Sequence, residues 1–291
     1  MLKLDITRSS IKPTIRTRLF HRFQERIRHP QWRLRVARVL ALAQPGARVD
    51  KSSVLVDELH REGIAVFPGF ITTAEANDLR AALEQFKCFD PWRVGLGEFP
   101  HDQVPSGTHV AQIREAPRLA RLHALANDSR VIDLVSAYFN CKPCLDSIQA
   151  WWSLSGNEEP EEAENFHRDN DAIRFLKLFI YATDVGEENG PHVYVAGSHK
   201  DPKLTARRRL ADTEVEQAFG PKAIRVMTGQ AGDAFLEDTF GIHKGQLPRT
   251  GRRLLIQFRY SVTETVFRSP IAVAKPYDGA SPRTTSLLHV D

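Results

Sequence analysis

Residues 54–262 predict a mainly β fold, a barrel or sandwich core with helices flanking one side. Three observations carry this. Short strand-like segments recur through the second half of the chain without regular strand–helix alternation. Residues 147–154 split into an apolar face (Ile148, Ala150, Trp152, Leu154) and a more polar one (Ser147, Gln149, Trp151, Ser153). Residues 174–183 do the same, with Leu176, Leu178, Ile180 and Ala182 opposite Lys177, Phe179 and Tyr181.

In chain order, residues 13–45 read as helix broken near Pro30. Phe20, Phe23 and Ile27, then Trp32, Val36, Val39 and Ala43, are expected on its packing face. Residues 46–52 are an expected linker. A short helix over 54–61 stops at Gly63, and 64–67 is a strand ending in the Pro68-Gly69 turn. Thr72 or Thr73 begins a helix reaching Phe86, with Ala76, Leu79, Leu83 and Phe86 inward. Residues 88–110 lack periodicity and are expected to form a lid or binding loop. His101 and His109, within it, are expected at the surface or facing substrate. Residues 114–125 and 128–139 read as helices, the second with Asp128 or Ser129 near its start. An extended stretch starts at Pro143 and includes 147–154; strands follow at 174–183, 192–196, 223–227, 233–237 and 253–262, with a helix at 211–219.

The 291 residues are enough for one elaborated domain, and the composition is that of a globular protein. No secretory signal is read at the N-terminus and no apolar run approaches a membrane span. Cys88, Cys141 and Cys144 are an odd set, unlike a secreted disulfide framework, so the expected compartment is the cytoplasm. The pair Cys141 and Cys144 has the C-x2-C spacing of a zinc ligand pair but lacks two further ligands. The net charge of +4 is uneven. Residues 1–50 carry 12 Lys and Arg against 3 Asp and Glu. The expected division is a basic helical extension, 1–50, and a body, 51–291. The extension either packs on the body, touches an anionic partner, or lies on a membrane surface. No specific nucleic-acid partner is expected.

The chemistry concentrates in His167-Arg-Asp169 and the distant His243. Two histidines and one carboxylate are the ligand set of a non-haem Fe(II) site with open positions. On an extended segment, residues i and i+2 share a face, so His167 and Asp169 reach one metal from one strand.

Four segments together resemble the phytanoyl-CoA dioxygenase family of Fe(II)/2-oxoglutarate oxygenases. They are Glu62-Gly-Ile-Ala-Val-Phe-Pro-Gly69; His167-x-Asp169; Glu188-Asn-Gly-Pro191 leading to Gly197-Ser-His-Lys200; and Gly229-Gln-Ala-Gly-Asp233 followed by His243 and an Arg-bearing strand. They span residues 54–262 in the family's order. The resemblance implies a double-stranded β-helix, a cupin-like jelly roll, with His167, Asp169 and His243 as iron ligands. It implies O2 and 2-oxoglutarate as co-substrates, with release of succinate and CO2 and hydroxylation of a C–H bond of a small molecule. The family includes halogenases that replace the carboxylate ligand; Asp169 is present here. A non-enzymatic, cupin-like metal- or ligand-binding barrel is the alternative.

The family also uses an Arg beyond the distal His to hold 2-oxoglutarate, and Arg252 and Arg253 compete for that place. Alternation favours Arg253. With Arg253 inward, Leu254, Ile256, Phe258 and Tyr260 form the apolar outer face; with Arg252 inward, two charges and a Gln face the helices unpaired. The same phasing points Lys177, Phe179, Gln149 and Trp151 into the barrel. Lys177 and Gln149 are therefore further candidates for holding the co-substrate. An inward Lys needs an anion, which is 2-oxoglutarate, substrate, or a buried carboxylate such as Asp233.

Overall fold

The computed structural model describes residues 15–44 and 53–263, Thr265, and a short ladder between Ile6–Thr7 (β1) and Ala272–Val273 (β13). The expected linker at 46–52 and the boundary at residue 50 lie outside the described residues. Two helices open the chain, α1 (Ile15–Gln24) and α2 (Pro30–Leu42). Pro30 takes the first turn of α2, where its missing N–H costs nothing. Next come α3 (Val54–Glu62), β2 (Ile64–Phe67) and α4 (Thr73–Leu83). Thr72 caps α4 in a reciprocal pair with Glu75.

The stretch expected to be irregular contains β3 (Cys88–Phe89) and β4 (Glu98–Phe99), followed by β5 (Val110–Ile113). These strands are short and lie at the sheet edge, too short to show a period. The next helical stretch begins as one 3-10 turn, Ala116–Arg118, and the extended backbone of Leu119 (φ -84°, ψ 110°) separates it from α5 (Ala120–Ala126). Then follow α6 (Ser129–Phe139), β6 (Cys144–Leu154), β7 (Phe175–Tyr181), β8 (His192–Val195) and α7 (Asp212–Phe219). The last strands are β9 (Ile224–Met227), β10 (Ala234–Glu237), β11 (His243–Gly245) and β12 (Arg252–Ser261).

An eight-stranded antiparallel sheet, in the order β2-β10-β7-β12-β6-β5-β3-β4, faces a three-stranded sheet, β11-β8-β9. This is the expected jelly roll. The largest apolar cluster lies on the outer face of the large sheet. There Ile148, Trp152, Leu176, Leu178, Ile256 and Phe258 meet Leu59, Leu79, Leu83, Leu122 and Val135 from the helices. The barrel interior holds a smaller cluster, including Phe179, Tyr181, Tyr194, Phe235 and Leu255. The phasing of β12 is as expected: Leu254, Ile256, Phe258 and Tyr260 join the helix-side cluster, and Arg253, Leu255 and Gln257 line an interior cavity.

The N-terminal helices differ from expectation in which face packs. Gln24, Arg33, Ala37 and Ala41 are buried, whereas Phe23, Trp32 and Val39 are exposed. On α2 apolar periodicity picked the opposite face: the helix packs against the Ser198–Lys200 turn through its small alanines, and Arg33 finds acceptors at Ile27 O, Asn170 Oδ1 and Ala172 O. Among the described residues no helix is long and apolar enough to cross a membrane. Cys88, Cys141 and Cys144 are buried and form no disulfide.

Gly63 ends α3 at φ +83°, and a Cβ there would lie 2.2 Å from Tyr194 Oη and 2.4 Å from His199 Nδ1. Gly69 also has positive φ, +61°, but opens onto free space. Gly63→Ala therefore combines strain with overpacking, and a loss of about 3 kcal/mol is expected. Gly69→Ala carries strain alone, about 1 kcal/mol. Urea unfolding of the two variants checks the difference.

Candidate metal centre

His167 and Asp169 lie on an extended segment that is not part of a continuous strand. It is held by discrete bridges, Phe166 to Leu210 and His167 to His243. The two histidines exchange backbone hydrogen bonds, His167 N–H to His243 O at 2.9 Å and the reverse at 3.0 Å. Asp169 N–H donates to Thr239 O at 2.9 Å. The expected i, i+2 geometry thus survives without a ladder, because this pairing keeps both side chains on the face toward His243.

Between them, Arg168 points away and donates to the carbonyls of Ser198, Phe240, Leu204, Lys203 and Asp201. Ser198 Oγ accepts the Ile242 N–H at 2.7 Å, next to His243. The Gly197-Ser-His-Lys200 motif therefore braces both ligand segments from behind.

Each of the three side chains offers a donor atom within 4.8 Å of the others. Asp169 Oδ1 lies 3.5 Å from His167 Nε2, and Oδ2 lies 3.4 Å from His243 Nε2. His167 Nδ1 is 2.8 Å from Asn165 O, and His243 Nδ1 is 3.0 Å from Gly241 O. A carbonyl only accepts, so both Nδ1 atoms carry hydrogen and both Nε2 lone pairs are aimed at the centre. That is how metal-binding imidazoles are fixed. The donor set fits a divalent metal with open positions.

Lys177 Nζ lies 2.5 Å from Asp169 Oδ2 and 3.0 Å from Asp171 Oδ2. Asp171 also meets Arg259 Nη1 at 2.8 Å, and Arg259 Nε meets the fully buried Asp146 at 2.5 Å. Lys177 and Arg259 are cross-strand partners on β7 and β12, so Asp171 separates two like charges. Burial opposes the charge on Asp169, yet Lys177 and the histidines hold its carboxyl well below the ordinary range. Burial also opposes the Asp171 charge, and Lys177 and Arg259 outweigh it. The expected buried partner Asp233 is not the one used. It accepts the N–H groups of Gly69 and Gln230 in a turn. Asp171 went unnoticed in the sequence, although i+2 from Asp169 places it on the same side.

Arg253 is 2% exposed and lines the same cavity of about 290 Å³. It donates to Gly190 O and, at 2.9 Å, to Ser153 Oγ; its Nε is buried without a partner. Among the described residues no carboxylate lies within ion-pair distance of it. Burial pulls its pKa down. Gly190, at φ +71°, supplies that carbonyl from the Glu188-Asn-Gly-Pro191 turn, where a Cβ would collide with Gln246 O. Arg252 instead stacks over Trp152, 4.2 Å from its ring centroid, and donates to His101 O. Gln149 lines the cavity and accepts from Gln257 Nε2 at 2.9 Å.

His109, expected near the surface or substrate, is 3% exposed, and its Nδ1 lies 2.7 Å from Glu164 Oε2. It does not line the cavity, although Glu164 does. His192, unassigned from sequence, faces inward between Phe179 and His243, with Nε2 3.0 Å from Glu237 Oε1. Its signal was alternation with Tyr194 on β8.

A family model described as phytanoyl-CoA dioxygenase matches residues 59–253. The chain belongs to the phytanoyl-CoA dioxygenase family. It is an Fe(II)- and 2-oxoglutarate-dependent enzyme. Solved structures share the fold at low identity. HygX from Streptomyces hygroscopicus, with nickel, 2-oxoglutarate and hygromycin B bound, is 22% identical with a TM-score of 0.52, covering 74% of this chain and 89% of that one. EctD from S. alaskensis with bound Fe is 17% identical with a TM-score of 0.54, covering 85% and 90%. The carbocyclase SnoK from nogalamycin biosynthesis is 15% identical with a TM-score of 0.51, covering 72% and 83%. A search of curated protein sequences returns no match.

Removing Lys177 leaves Asp169 without its cation and Asp171 with Arg259 alone. Lys177→Met is expected to cost about 3 kcal/mol in metal-free protein. The loss should shrink when Co(II) supplies positive charge beside Asp169. Urea unfolding with chelator and with Co(II) measures both.

Proposed function

We propose that this family member hydroxylates a C–H bond of a small molecule, with His167, Asp169 and His243 holding Fe(II) and Arg253 holding the far carboxylate of 2-oxoglutarate. One observation carries the assignment of Arg253. A buried guanidinium with only neutral partners shares a cavity with three metal donors, and burying an unpaired charge is costly unless an anion arrives. A planar fork with a free Nε suits a carboxylate. Bound Fe(II) and 2-oxoglutarate would supply the oxidising chemistry with O2, releasing succinate and CO2.

The chain's own residues position and shield. Ser153 and Gly190 fix the Arg253 fork. Lys177 is already engaged by Asp169 and Asp171, which supports a role in setting the carboxylate ligand rather than binding co-substrate. Gln149 and Gln257 offer amides, and Trp92, Trp151 and Phe179 offer apolar surface, for a substrate of modest size. The expected lid contributes Pro91, Trp92 and Val110 to the cavity wall. Asp90 accepts the Trp92 and Arg93 N–H groups, and Arg93 makes two 2.8 Å bonds to Glu161. That clamp joins the lid to the loop preceding His167 and supports a water-excluding function. Three buried cysteines outside any disulfide support the expected reducing cytoplasm.

The test is an anaerobic titration with Fe(II) and 2-oxoglutarate, followed by the visible charge-transfer band of the chelate. His167→Ala is expected to abolish the band. Arg253→Ala should raise the 2-oxoglutarate concentration needed by at least about tenfold, the loss of roughly one charge-assisted pair. Arg252→Ala should leave it within about twofold. A band dependent on Arg252 and indifferent to Arg253 refutes the assignment.

A further inference from the structure

The two N-terminal helices have opposite faces of different character. At 3.6 residues per turn, Pro30, Arg33, Ala37 and Ala41 form one face of α2, and Trp32, Val39 and Leu42 the other. The first face is buried on the body. The second is open, with Trp32 57%, Val39 67% and Leu42 81% exposed. On α1, Gln24 is turned inward and Ile15, Leu19 and Phe23, spaced by four, are exposed at 78%, 60% and 51%. Six of the eleven exposed large apolar residues among those described therefore lie in these two short helices.

Charge accompanies the apolar surface. Residues 15–44 contain eight arginines and a single acidic residue, Glu25. Glu25 is occupied by Arg207 at 2.6 Å. Arg18, Arg22, Arg26, Arg28, Arg35 and Arg38 are exposed, and none is in an ion pair among the described residues. A helical surface mixing exposed Trp, Phe and Leu with exposed Arg has the composition of an interfacial membrane element. The apolar side chains enter the acyl boundary while the guanidinium groups meet lipid phosphates and carboxylates.

We propose that the open face of α1 and α2 docks the protein on an anionic lipid surface. A second copy of this chain fits less well, since a two-fold contact would bring the same arginine-rich face against itself. A nucleic acid would use the arginines but leave the apolar stripe in water.

The docked face gives this contact a place in the enzyme. Arg33 donates to Asn170 Oδ1 at 2.6 Å and to Ala172 O, and Gln24 Nε2 donates to Asp171 O at 3.1 Å. These residues directly follow the ligand segment, and Asp171 anchors Lys177 against Asp169. A lipid surface on one side of α1 and α2 is thus one helix thickness from the segment that continues the metal centre.

The experiment is co-sedimentation of the full chain with vesicles of phosphatidylcholine alone and of phosphatidylcholine with phosphatidylserine. Binding to the anionic vesicles is expected to exceed binding to neutral ones by at least about tenfold, and to weaken as salt is raised. Leu19→Glu with Trp32→Glu, both at exposed positions, should lower partitioning by at least about tenfold; Arg35→Gln with Arg38→Gln should lower it by several-fold. Circular dichroism of each variant confirms folding. Absence of vesicle binding overturns the proposal, as does equal binding to neutral lipid. Concentration-dependent dimerisation abolished by the same apolar variants assigns the face to a second copy. Binding to duplex DNA that ignores Leu19 and Trp32 assigns it to nucleic acid.

Discussion

Lys177 sits between Asp169 and Asp171, inside a barrel that buries an aromatic cluster beside Arg253, Arg259 and His192, and the candidate metal centre depends on that placement. A carboxylate can remain ionised in such a place only beside a positive charge. The strand that delivers Lys177 also delivers Leu176 and Leu178 to the helix-side core. A one-residue slip of β7 would put the lysine among the helices and a leucine against Asp169. The apolar core and the charged site are thus fixed by a single register. β12 repeats the argument, with Arg253 and Arg259 inward and four apolar residues outward.

Around this pair of strands the ligand segments are held mostly by backbone carbonyls. Arg168 gathers five of them, and Arg33 gathers those of Ile27 and Ala172 along with the Asn170 side chain. Phe240 lies under both guanidinium groups, 4.2 Å from Arg33 and 5.4 Å from Arg168. Buried cations without carboxylate partners fix position by geometry more than they add stability. Here they brace the irregular segments, which lack a ladder of their own. Arg253 differs in one respect: it faces the cavity, so its missing counter-charge can be supplied by a ligand.

The family match begins at residue 59, so α1 and α2 lie outside it. They nevertheless reach the segment following Asp169 through Gln24 and Arg33. The body and the basic helices are therefore in physical contact next to the candidate metal ligands. A surface that engages these helices acts on a part of the chain that is already coupled to the site.

The sequence by itself determined the inward and outward faces of β6, β7 and β12, because period-two alternation is a local property and burying Arg253 outward would have left charges unpaired among helices. It determined the His167, Asp169 and His243 grouping through spacing and motif order. It also determined the stop at Gly63, and it narrowed the start of α4 to Thr72 or Thr73 and that of α6 to Asp128 or Ser129, because these rest on single-residue backbone chemistry; the structure chose Thr72 and Asp128. Tertiary structure alone decided the partner of Lys177, since the choice of Asp171 over Asp233 depends on how an irregular segment crosses β7 and β12. It alone decided which face of α2 packs. Apolar periodicity favoured Trp32 and Val39, but the body offered carbonyl acceptors to Arg33 and close contact to Ala37 and Ala41. Hydrogen-bond acceptors on a distant segment leave no mark in the periodicity of the helix that meets them.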